Sequence, residues 1–424
     1  MHRCMSRSPF HAGWQAGRNR HNYGQIRFSK YDMSMLHRDA HETVERLGRG
    51  FPIVWLTGPR QSGKTTLARA TRPDLAYVNL ERPDERAFAQ EDPRGFLATY
   101  PDGAILDEVQ HVPDLASWLQ ADVDVRRQMG RWLLTGSQQP AIAQGVSQSL
   151  AGRVGRVELL PISGRELARA GSLPTSLDTL LFTGGFPALF DRDVSVHDWL
   201  GNYVATYVER DVRMLTAVRD LDTFTRFVRL CAARSGQLLN LASLGNDAGV
   251  SVTAVRDWLS ILRATYIVDV IQPHSLNVTT RLVKTPKLVL QDVGLMAYLI
   301  GISDSAQIAT HPLRGAIFET WGITEQIKAW RNAGSARQPY FLRDKRGTEI
   351  DLVAPTPDGL EAVEFKAGST FASDWGRGFR LWRERTHDLE LHSTVVFGGD
   401  GDTVRSGVRV LGWREYATLG GAIA

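Results

Sequence analysis

The chain has 424 residues, of which 43% are hydrophobic and 23% are charged, so its length allows two or three domains and its composition is that of an ordinary globular protein. No apolar run approaches the roughly eighteen residues of a membrane-spanning helix, so we expect no membrane partner. The two cysteines, Cys4 and Cys231, are too far apart for a metal-binding motif, and this usage predicts a reducing, cytoplasmic compartment.

The formal net charge of +4 comes from the start of the chain. Residues 1–31 contain six arginines and lysines and no acid, which leaves 44 of the 50 basic residues against all 46 acidic ones. Net charge therefore gives no ground for tight binding to nucleic acid. Residues 1–34 are a basic leader without periodicity. We interpret this leader as a disordered arm that touches nucleic acid, as a transit-like segment or, preferably, as residues upstream of a true start at Met33 or Met35.

A phosphate-binding loop is the first motif. The pattern G-x-x-x-x-G-K-[ST] is matched at each position by Gly58, Pro59, Arg60, Gln61, Ser62, Gly63, Lys64 and Thr65, with Thr66 following. An apolar run at 51–57 predicts a buried strand before the loop, and 65–70 predicts a helix after it. In such a loop the backbone N–H groups surround phosphates, Lys64 reaches the β- and γ-phosphates, and the Thr65 hydroxyl ligates Mg²⁺. We predict an ATP and Mg²⁺ site here.

A second motif supplies two acids. The apolar run 104–106 predicts a strand that ends in Asp107 and Glu108, about forty residues after the phosphate loop. At that spacing Asp107 can hold Mg²⁺ through its water shell, and Glu108 can polarise the attacking water. The alternative is a strand edge whose acids face solvent.

Two further positions are candidates for contact with the γ-phosphate. Residues 131–137 predict a core strand with polar residues at its tip, where Ser137 is the preferred contact, Thr135 is the second choice and a plain turn is the alternative. Arg153, or else Arg156, could reach into the nucleotide site of a neighbouring subunit and stabilise transition-state charge. Both could equally be ordinary surface arginines.

The order of predicted elements gives an α/β fold class. Strands alternate with helices over 35–165, which predicts a P-loop NTPase domain built on a parallel sheet. Residues 166–235 are predicted as a helical lid. Residues 236–303 carry a helix-turn-helix pattern, with Lys284 and Lys287 as candidates for a wing, and predict a winged-helix-like domain. Such a module could contact duplex DNA or another protein.

The last region, 304–424, contains a second set of acids. Residues 314–329 predict an amphipathic helix that carries Glu319, and two strands follow with Asp351 on one and Glu364 with Lys366 on the other. Side chains alternate along a strand, so Glu364 and Lys366 share a face. Two acids can bind Mg²⁺ and a nearby lysine can position water for phosphodiester hydrolysis. The region is predicted to be a nuclease-like fold, with an inactive structural or interaction module as the alternative.

The order of these parts resembles prokaryotic AAA+-superfamily ATPases that carry a C-terminal domain of unknown function with a restriction-endonuclease-like core. The resemblance covers about residues 35–415, and the residues that carry it are Asp351 and the segments 56–66, 106–110, 134–137, 149–153, 207–212, 284–287, 292–295 and 364–366. It implies ATP binding, Mg²⁺ and slow hydrolysis, without a settled biological role.

We therefore predict an ATP-binding, Mg²⁺-dependent ATPase of AAA+ type whose nucleotide state controls a DNA-associated or nuclease-like C-terminal region. Duplex DNA, a homo-oligomer and a protein partner are the partners considered. The alternative is an ATP-dependent regulatory switch that acts through protein–protein contacts and carries an inactive nuclease-like module.

Overall fold

The computed structural model describes residues 36–136, 150–208, 220–274, 285–344, 347–372, 374–385 and 390–423. The predictions that concern the leader, Ser137 and Lys284 lie outside these residues.

A parallel sheet with the strand order β2–β3–β4–β1–β5 forms the first part of the described chain. Its strands are β1 (Ile53–Thr57), β2 (Ala76–Asn79), β3 (Ala104–Asp107), β4 (Trp132–Thr135) and β5 (Val154–Glu158). The helices around it are α1 (Ala40–Gly50), α2 (Lys64–Thr71), α3 (Pro83–Glu91), α4 (Pro93–Ala98) and α5 (Leu115–Arg126).

The sheet is covered on both faces, which explains why its central strands are apolar without alternation. Every residue of β1 is buried. Because successive side chains point to opposite faces, Ile53 and Trp55 enter one apolar cluster while Val54 and Leu56 enter the other. The phosphate loop follows β1 at the carboxyl edge of this sheet, where parallel sheets bind ligands.

Short helices follow, and several begin at a side-chain cap. They are α6 (Gly164–Arg169), α7 (Leu177–Thr183), α8 (Ala188–Asp191) and α9 (Val196–Tyr203). Ser163 accepts a hydrogen bond from the N–H of Glu166, and the Glu166 carboxylate accepts one from the N–H of Ser163, which is a capping box. Ser176 and Ser195 cap α7 and α9 in the simpler way.

Three helices and a hairpin come next. The helices are α10 (Leu221–Ala233), α11 (Leu241–Ala248) and α12 (Val252–Ala264), and the antiparallel strands are β6 (Val268–Pro273) and β7 (Lys287–Leu290). Gly249 ends α11 with a left-handed φ of 77°, and Ser251 caps α12, so the predicted turn lies between these two helices. Leu238 forms an isolated antiparallel bridge with Lys287.

The C-terminal region contains a mixed sheet. Its elements are α13 (Val293–Leu299), α14 (Ala306–Thr310), α15 (Arg314–Asn332), β8 (Tyr340–Arg343), β9 (Glu349–Pro355), β10 (Gly359–Lys366), α16 (Arg377–Arg385), β11 (Glu390–Phe397), β12 (Asp402–Arg405), β13 (Val408–Gly412) and α17 (Trp413–Leu419). The sheet order is β12–β13–β11–β10–β9–β8–β6–β7. Because β6 pairs with β8, the sheet runs across the predicted boundary at residue 304.

Helix α15 lies on this sheet at Gly322, where an added Cβ would collide with the ring of Phe365 in β10. The glycine therefore sets the close approach that brings the side chains of α15 near the strands. Among the described residues, no helix is both long and apolar enough to cross a membrane.

Candidate functional site

The phosphate loop has a backbone that its sequence requires. Gly58 adopts φ 147°, and a Cβ there would collide with the carbonyl oxygen of Leu159. Gly63 adopts a left-handed φ of 91° as the residue before α2. Gln61 also has positive φ, at 62°, a conformation that costs free energy in a residue other than glycine. The loop thus holds a specific shape immediately before the N-terminus of α2, where backbone N–H groups favour an anion.

Lys64 is buried inside this loop. Its ammonium donates to the carbonyl oxygens of Pro59, at 2.8 Å, and Gly58, at 3.2 Å. Burial lowers the pKa of Lys64 to about 8, since the loss of hydration outweighs the attraction of Glu108 and Asp107. An anionic phosphate that enters the loop would therefore stabilise the charged form of Lys64.

Asp107 sits at the end of β3 and joins the loop to its neighbouring strands. Thr65 Oγ1 donates to both of its carboxylate oxygens, at 3.0 and 3.1 Å. The hydroxyl of Tyr77, on β2, donates to Asp107 Oδ2 at 2.7 Å. Thr135 Oγ1, at the tip of β4, also donates to Asp107. Because β2 and β4 flank β3 in the sheet, both partners reach the acid from adjacent strands.

Glu108 follows in a strained conformation beside the same group of side chains. Its φ is 59°, its N–H donates to Thr135 Oγ1 at 3.3 Å, and its carboxylate accepts from Gln110 Nε2. A left-handed backbone conformation costs free energy in a residue other than glycine, and such residues are frequent at functional sites. The structure therefore brings Lys64, Thr65, Asp107 and Glu108 to one edge of the sheet, with Thr135 between the two acids.

The side chain of Arg38 supports the phosphate loop, and the sequence alone did not identify this residue. This buried guanidinium donates to the carbonyl oxygens of Ser62, at 2.8 Å, and Leu160, at 2.7 Å, and pairs with Glu166 at 3.0 Å. Burial acts to raise the pKa of Glu166, but the charge of Arg38 and backbone N–H donors outweigh it and lower the pKa. Arg38 lies before α1, far from the motif in sequence, so only the fold reveals the contact.

The two candidate arginines lie elsewhere. Arg153 precedes β5, at the opposite end of the sheet from the phosphate loop, and its guanidinium pairs with Asp124 at 2.6 Å. It does not reach the nucleotide site of its own chain. Arg156 lies within β5, where it hydrogen-bonds to the hydroxyl of Tyr266 at 3.1 Å.

The C-terminal acids form a second cluster, together with one acid that the sequence reasoning missed. Ligand oxygens of Glu319, Glu349 and Asp351 all lie within 4.8 Å of one another. The buried ammonium of Lys287 is 2.5 Å from Glu319, contacts Glu349 and is 3.9 Å from Asp351. Glu349 and Asp351 share a face of β9 because they are two residues apart, so the alternation of a strand could have identified Glu349.

Glu364 and Lys366 form an ion pair beside this cluster. Their side chains are 2.6 Å apart, and Asp351 Oδ2 accepts from the N–H of Phe365 at 2.8 Å. Burial raises the pKa of Glu364, the charge of Asp351 raises it further, and Lys366 opposes both. Glu319 has its pKa raised by the same two causes, with Lys287 in opposition. The four residues predicted from the sequence thus lie in one region, with Lys287 and Glu349 added to them.

Three family models match successive parts of the chain. An AAA domain matches residues 50–168. Two domains of unknown function, DUF8612 and DUF4143, match residues 174–306 and 314–416. Residues 50–168, which contain the phosphate loop and both acids of β3, are therefore an AAA-type P-loop ATPase domain.

Two uncharacterized mycobacterial proteins are similar over most of their length: Rv2008c of Mycobacterium tuberculosis and Mb2031c of Mycobacterium bovis. Each is 32% identical over 370 residues, which are 86% of this chain and 80% of the relative. Among solved structures, a Walker-type ATPase of Pyrococcus abyssi is 14% identical with a TM-score of 0.39 over 65% of this chain and 98% of that one. AMPPCP-bound DnaA from Aquifex aeolicus is 16% identical with a TM-score of 0.28 over 53% and 85%.

Both TM-scores are low, so the assignment rests on the family models and the mycobacterial relatives. At 32% identity over most of both proteins, this chain belongs to the same family as the two mycobacterial proteins, with an AAA-type P-loop ATPase domain at residues 50–168.

Proposed function

We propose that this chain hydrolyses ATP with Mg²⁺ and that its nucleotide state controls a DNA-associated or nuclease-like C-terminal region. The observation that carries the proposal is helix α15. One end of this helix contacts the segment that supports the phosphate loop, and the other end contributes Glu319 to the carboxylate cluster.

The residues at the edge of the parallel sheet suit ATP hydrolysis. The loop N–H groups and Lys64 would bind the phosphates, and Glu108 would orient the attacking water. The hydroxyl of Thr65 and the carboxylate of Asp107 are already in contact, and both offer the oxygen ligands that Mg²⁺ prefers. Thr65 and Asp107 would therefore hold Mg²⁺, which when bound neutralises charge on the β- and γ-phosphates.

Gln110 and Thr135 would control the position of Glu108. Gln110 donates to the Glu108 carboxylate, and Thr135 accepts from the Glu108 N–H while donating to Asp107. Thr135 therefore serves both acids, while the predicted contact of Ser137 with the γ-phosphate stays a prediction because Ser137 lies outside the described residues. Arg153 stays a proposal for action in a neighbouring subunit, which would require a homo-oligomer.

The connection to the C-terminal region consists of buried polar contacts. Lys328 Nζ donates to the carbonyl oxygen of Ile162 at 3.1 Å, and Glu325 accepts from the N–H of Gly164 at 2.6 Å. Asn332 Nδ2 donates to Glu166 at 3.4 Å, and Glu166 pairs with the arginine that holds the loop. From Glu319 to Asn332 the helix spans about 20 Å at 1.5 Å per residue. A shift of the loop on ATP binding would therefore act on α15.

The finer fold assignments are part of the same proposal. Within the predicted range 236–303, the order of α11 and α12 followed by the β6–β7 hairpin is that expected of a winged helix. The order α15–β8–β9–β10–α16–β11, with acids on α15, β9 and β10, supports a restriction-endonuclease-like core. These assignments are why duplex DNA is the partner to test first.

The experiment is ATP turnover with and without duplex DNA, in wild type and in Glu108→Gln. We expect DNA to stimulate the wild type, and the variant to bind ATP but lose about 10²- to 10⁴-fold in kcat, the range for a lost general base. Glu81→Gln, an exposed acid at the same edge of the sheet, is the matched control and should keep its turnover. Unchanged turnover in Glu108→Gln would exclude Glu108 as the catalytic base.

A second candidate function is a regulatory switch that binds ATP and acts through a protein partner, with an inactive nuclease-like module. The ion pairs of Lys287 with the acids of the cluster favour it, since they neutralise the groups that a nuclease would use for metal. DNA cleavage with Mg²⁺ or Mn²⁺ that disappears in Asp351→Ala would argue against the switch. Equal cleavage by both proteins would remove the cluster from the mechanism.

A further inference from the structure

Lys287 enters the carboxylate cluster from outside the C-terminal domain. It is the first residue of β7, within the range that matches DUF8612, whereas Glu319, Glu349 and Asp351 lie within the range that matches DUF4143. Its side chain is only 1% exposed and points at all three acids. One domain therefore supplies the counter-ion for the carboxylates of the next.

The position of this lysine is fixed by its backbone as well as by its charge. Lys287 pairs with Ile271 of β6 and forms a bridge with Leu238. Its ammonium also lies 5.4 Å from the centre of the Phe341 ring in β8. A lysine on an exposed strand can swing away from an acid, but one held by two backbone partners and buried against an aromatic ring cannot do so freely.

Three carboxylates this close stay ionised only if a cation lies beside them. Their oxygens lie within 4.8 Å of one another, and the side chains are largely buried, so mutual repulsion and lost hydration both oppose ionisation. Clustered carboxylate oxygens are the ligands that Mg²⁺ and Mn²⁺ bind. A divalent cation must approach such oxygens to about 2.0 to 2.2 Å, which places it where the Lys287 ammonium lies. A divalent cation and the Lys287 ammonium therefore cannot occupy this position together, because their volumes would overlap and their like charges repel.

We propose that Lys287 is a built-in cation that fills the Glu319–Glu349–Asp351 cluster and closes it to divalent metal, so that the cluster becomes a metal site only when this ammonium is removed. The inference goes beyond the proposed function, because it holds whether or not the chain hydrolyses ATP or cuts DNA. It also identifies the hairpin β6–β7 as the element that must shift before metal could enter.

The test is Mn²⁺ binding to the full, nucleotide-free chain. Binding is measured by electron paramagnetic resonance and by the shift in the thermal midpoint of unfolding. We expect Lys287→Met to bind one more Mn²⁺ per chain than wild type, at least about tenfold more tightly than any wild-type site at the cluster. Mn²⁺ should raise the thermal midpoint of Lys287→Met and leave that of wild type unchanged. Adding Asp351→Asn to Lys287→Met should abolish the gain.

Arg343→Met is the matched control. Arg343 pairs with the same Glu349 at 2.5 Å, but from the exposed side, so its loss removes an equal charge without emptying the cluster. It should not gain Mn²⁺. If Arg343→Met gains as much Mn²⁺ as Lys287→Met, general charge rather than occupancy is responsible, and the proposal fails.

A second comparison decides the matter even if Lys287→Met does not fold. Wild type and Asp351→Asn are titrated with Mn²⁺ side by side, and the proposal requires that wild type has no tight site that this substitution removes. A tight wild-type site that is lost in Asp351→Asn would overturn it, because metal would then enter with Lys287 in place. A folded Lys287→Met or Lys287→Gln that gains no Mn²⁺ would overturn it equally.

Discussion

The two sites each contain a buried lysine beside acids, but the surroundings shift the pKa values of the two lysines in opposite directions. Lys64 donates to carbonyl oxygens of its own loop, and burial lowers its pKa to about 8. Lys287 contacts carboxylates directly, and their attraction outweighs burial and raises its pKa. Burial alone does not set the pKa of a lysine, because carboxylates in contact with the ammonium can outweigh the loss of hydration.

This difference distinguishes Lys64, whose charge has no carboxylate in contact among the described residues, from Lys287, whose charge is paired with carboxylates of the same chain. The ammonium of Lys64 becomes more stable when an external anion enters the loop, whereas that of Lys287 is already neutralised within the chain. The phosphate loop therefore holds a cation that an anionic ligand would stabilise, whereas the carboxylate cluster already has its counter-ion in Lys287.

The largest effect should come from removing the lysine of the loop. We expect Lys64→Ala to lower ATP affinity by about three orders of magnitude, because charge-assisted hydrogen bonds to two phosphates are lost and each 1.4 kcal/mol is tenfold. Equilibrium binding of a fluorescent ATP analogue measures this. Arg409→Ala, which removes an exposed cation paired with Asp402, is the control and should bind normally. Retained affinity in Lys64→Ala would remove the loop from nucleotide binding.

The sequence predicted the first site better than the second for a physical reason. The residues from Gly58 to Thr66 are contiguous, and the spacing from the loop to Asp107 and Glu108 follows from one strand–helix repeat. Comparison with known families confirms the ATPase domain at 50–168. Tyr77 was missed because its contact with Asp107 depends on β2 lying next to β3, and strand order is not written in local sequence.

The second site depends still more on long-range pairing. The helix predicted at 314–329 extends over Arg314–Asn332, and both predicted strands are present, because these segments have clear periodicity. Lys287 could be noticed only as a wing residue. Its place among the acids results from the pairing of β6 with β8, which joins segments about seventy residues apart.

An intermediate effect should follow from breaking the pair that supports the loop. We expect Glu166→Gln to lower the free energy of unfolding by about 3 kcal/mol, since it leaves the buried Arg38 charge without its partner. Urea unfolding measures the change. Asp124→Asn, which breaks an exposed pair with Arg153, should cost less than about 1 kcal/mol.

The same pair predicts how stability depends on pH. Because the pKa of Glu166 is lower in the folded chain than its ordinary value of 4.5, its contribution is present above that value and is lost as the pH falls through the folded pKa. The difference in stability between wild type and Glu166→Gln should therefore shrink in acid. A difference that stays constant would show that the charge of Glu166 is not what stabilises Arg38.

The smallest effect tests the comparison of the lysines most directly. With a pKa of about 8, Lys64 is largely charged at pH 7.5 and largely neutral at pH 9 in the nucleotide-free chain. Bound phosphates favour the charged form, so binding takes up a proton at the higher pH, and ATP affinity should fall by roughly tenfold between these values. Calorimetry in buffers of different ionisation enthalpy measures the proton directly. Lys64→Arg does not titrate in this range, so its affinity, whatever its absolute value, should change little with pH. If wild type shows no proton uptake, Lys64 is already charged in the empty loop, and its carbonyl partners balance it as fully as the carboxylates balance Lys287.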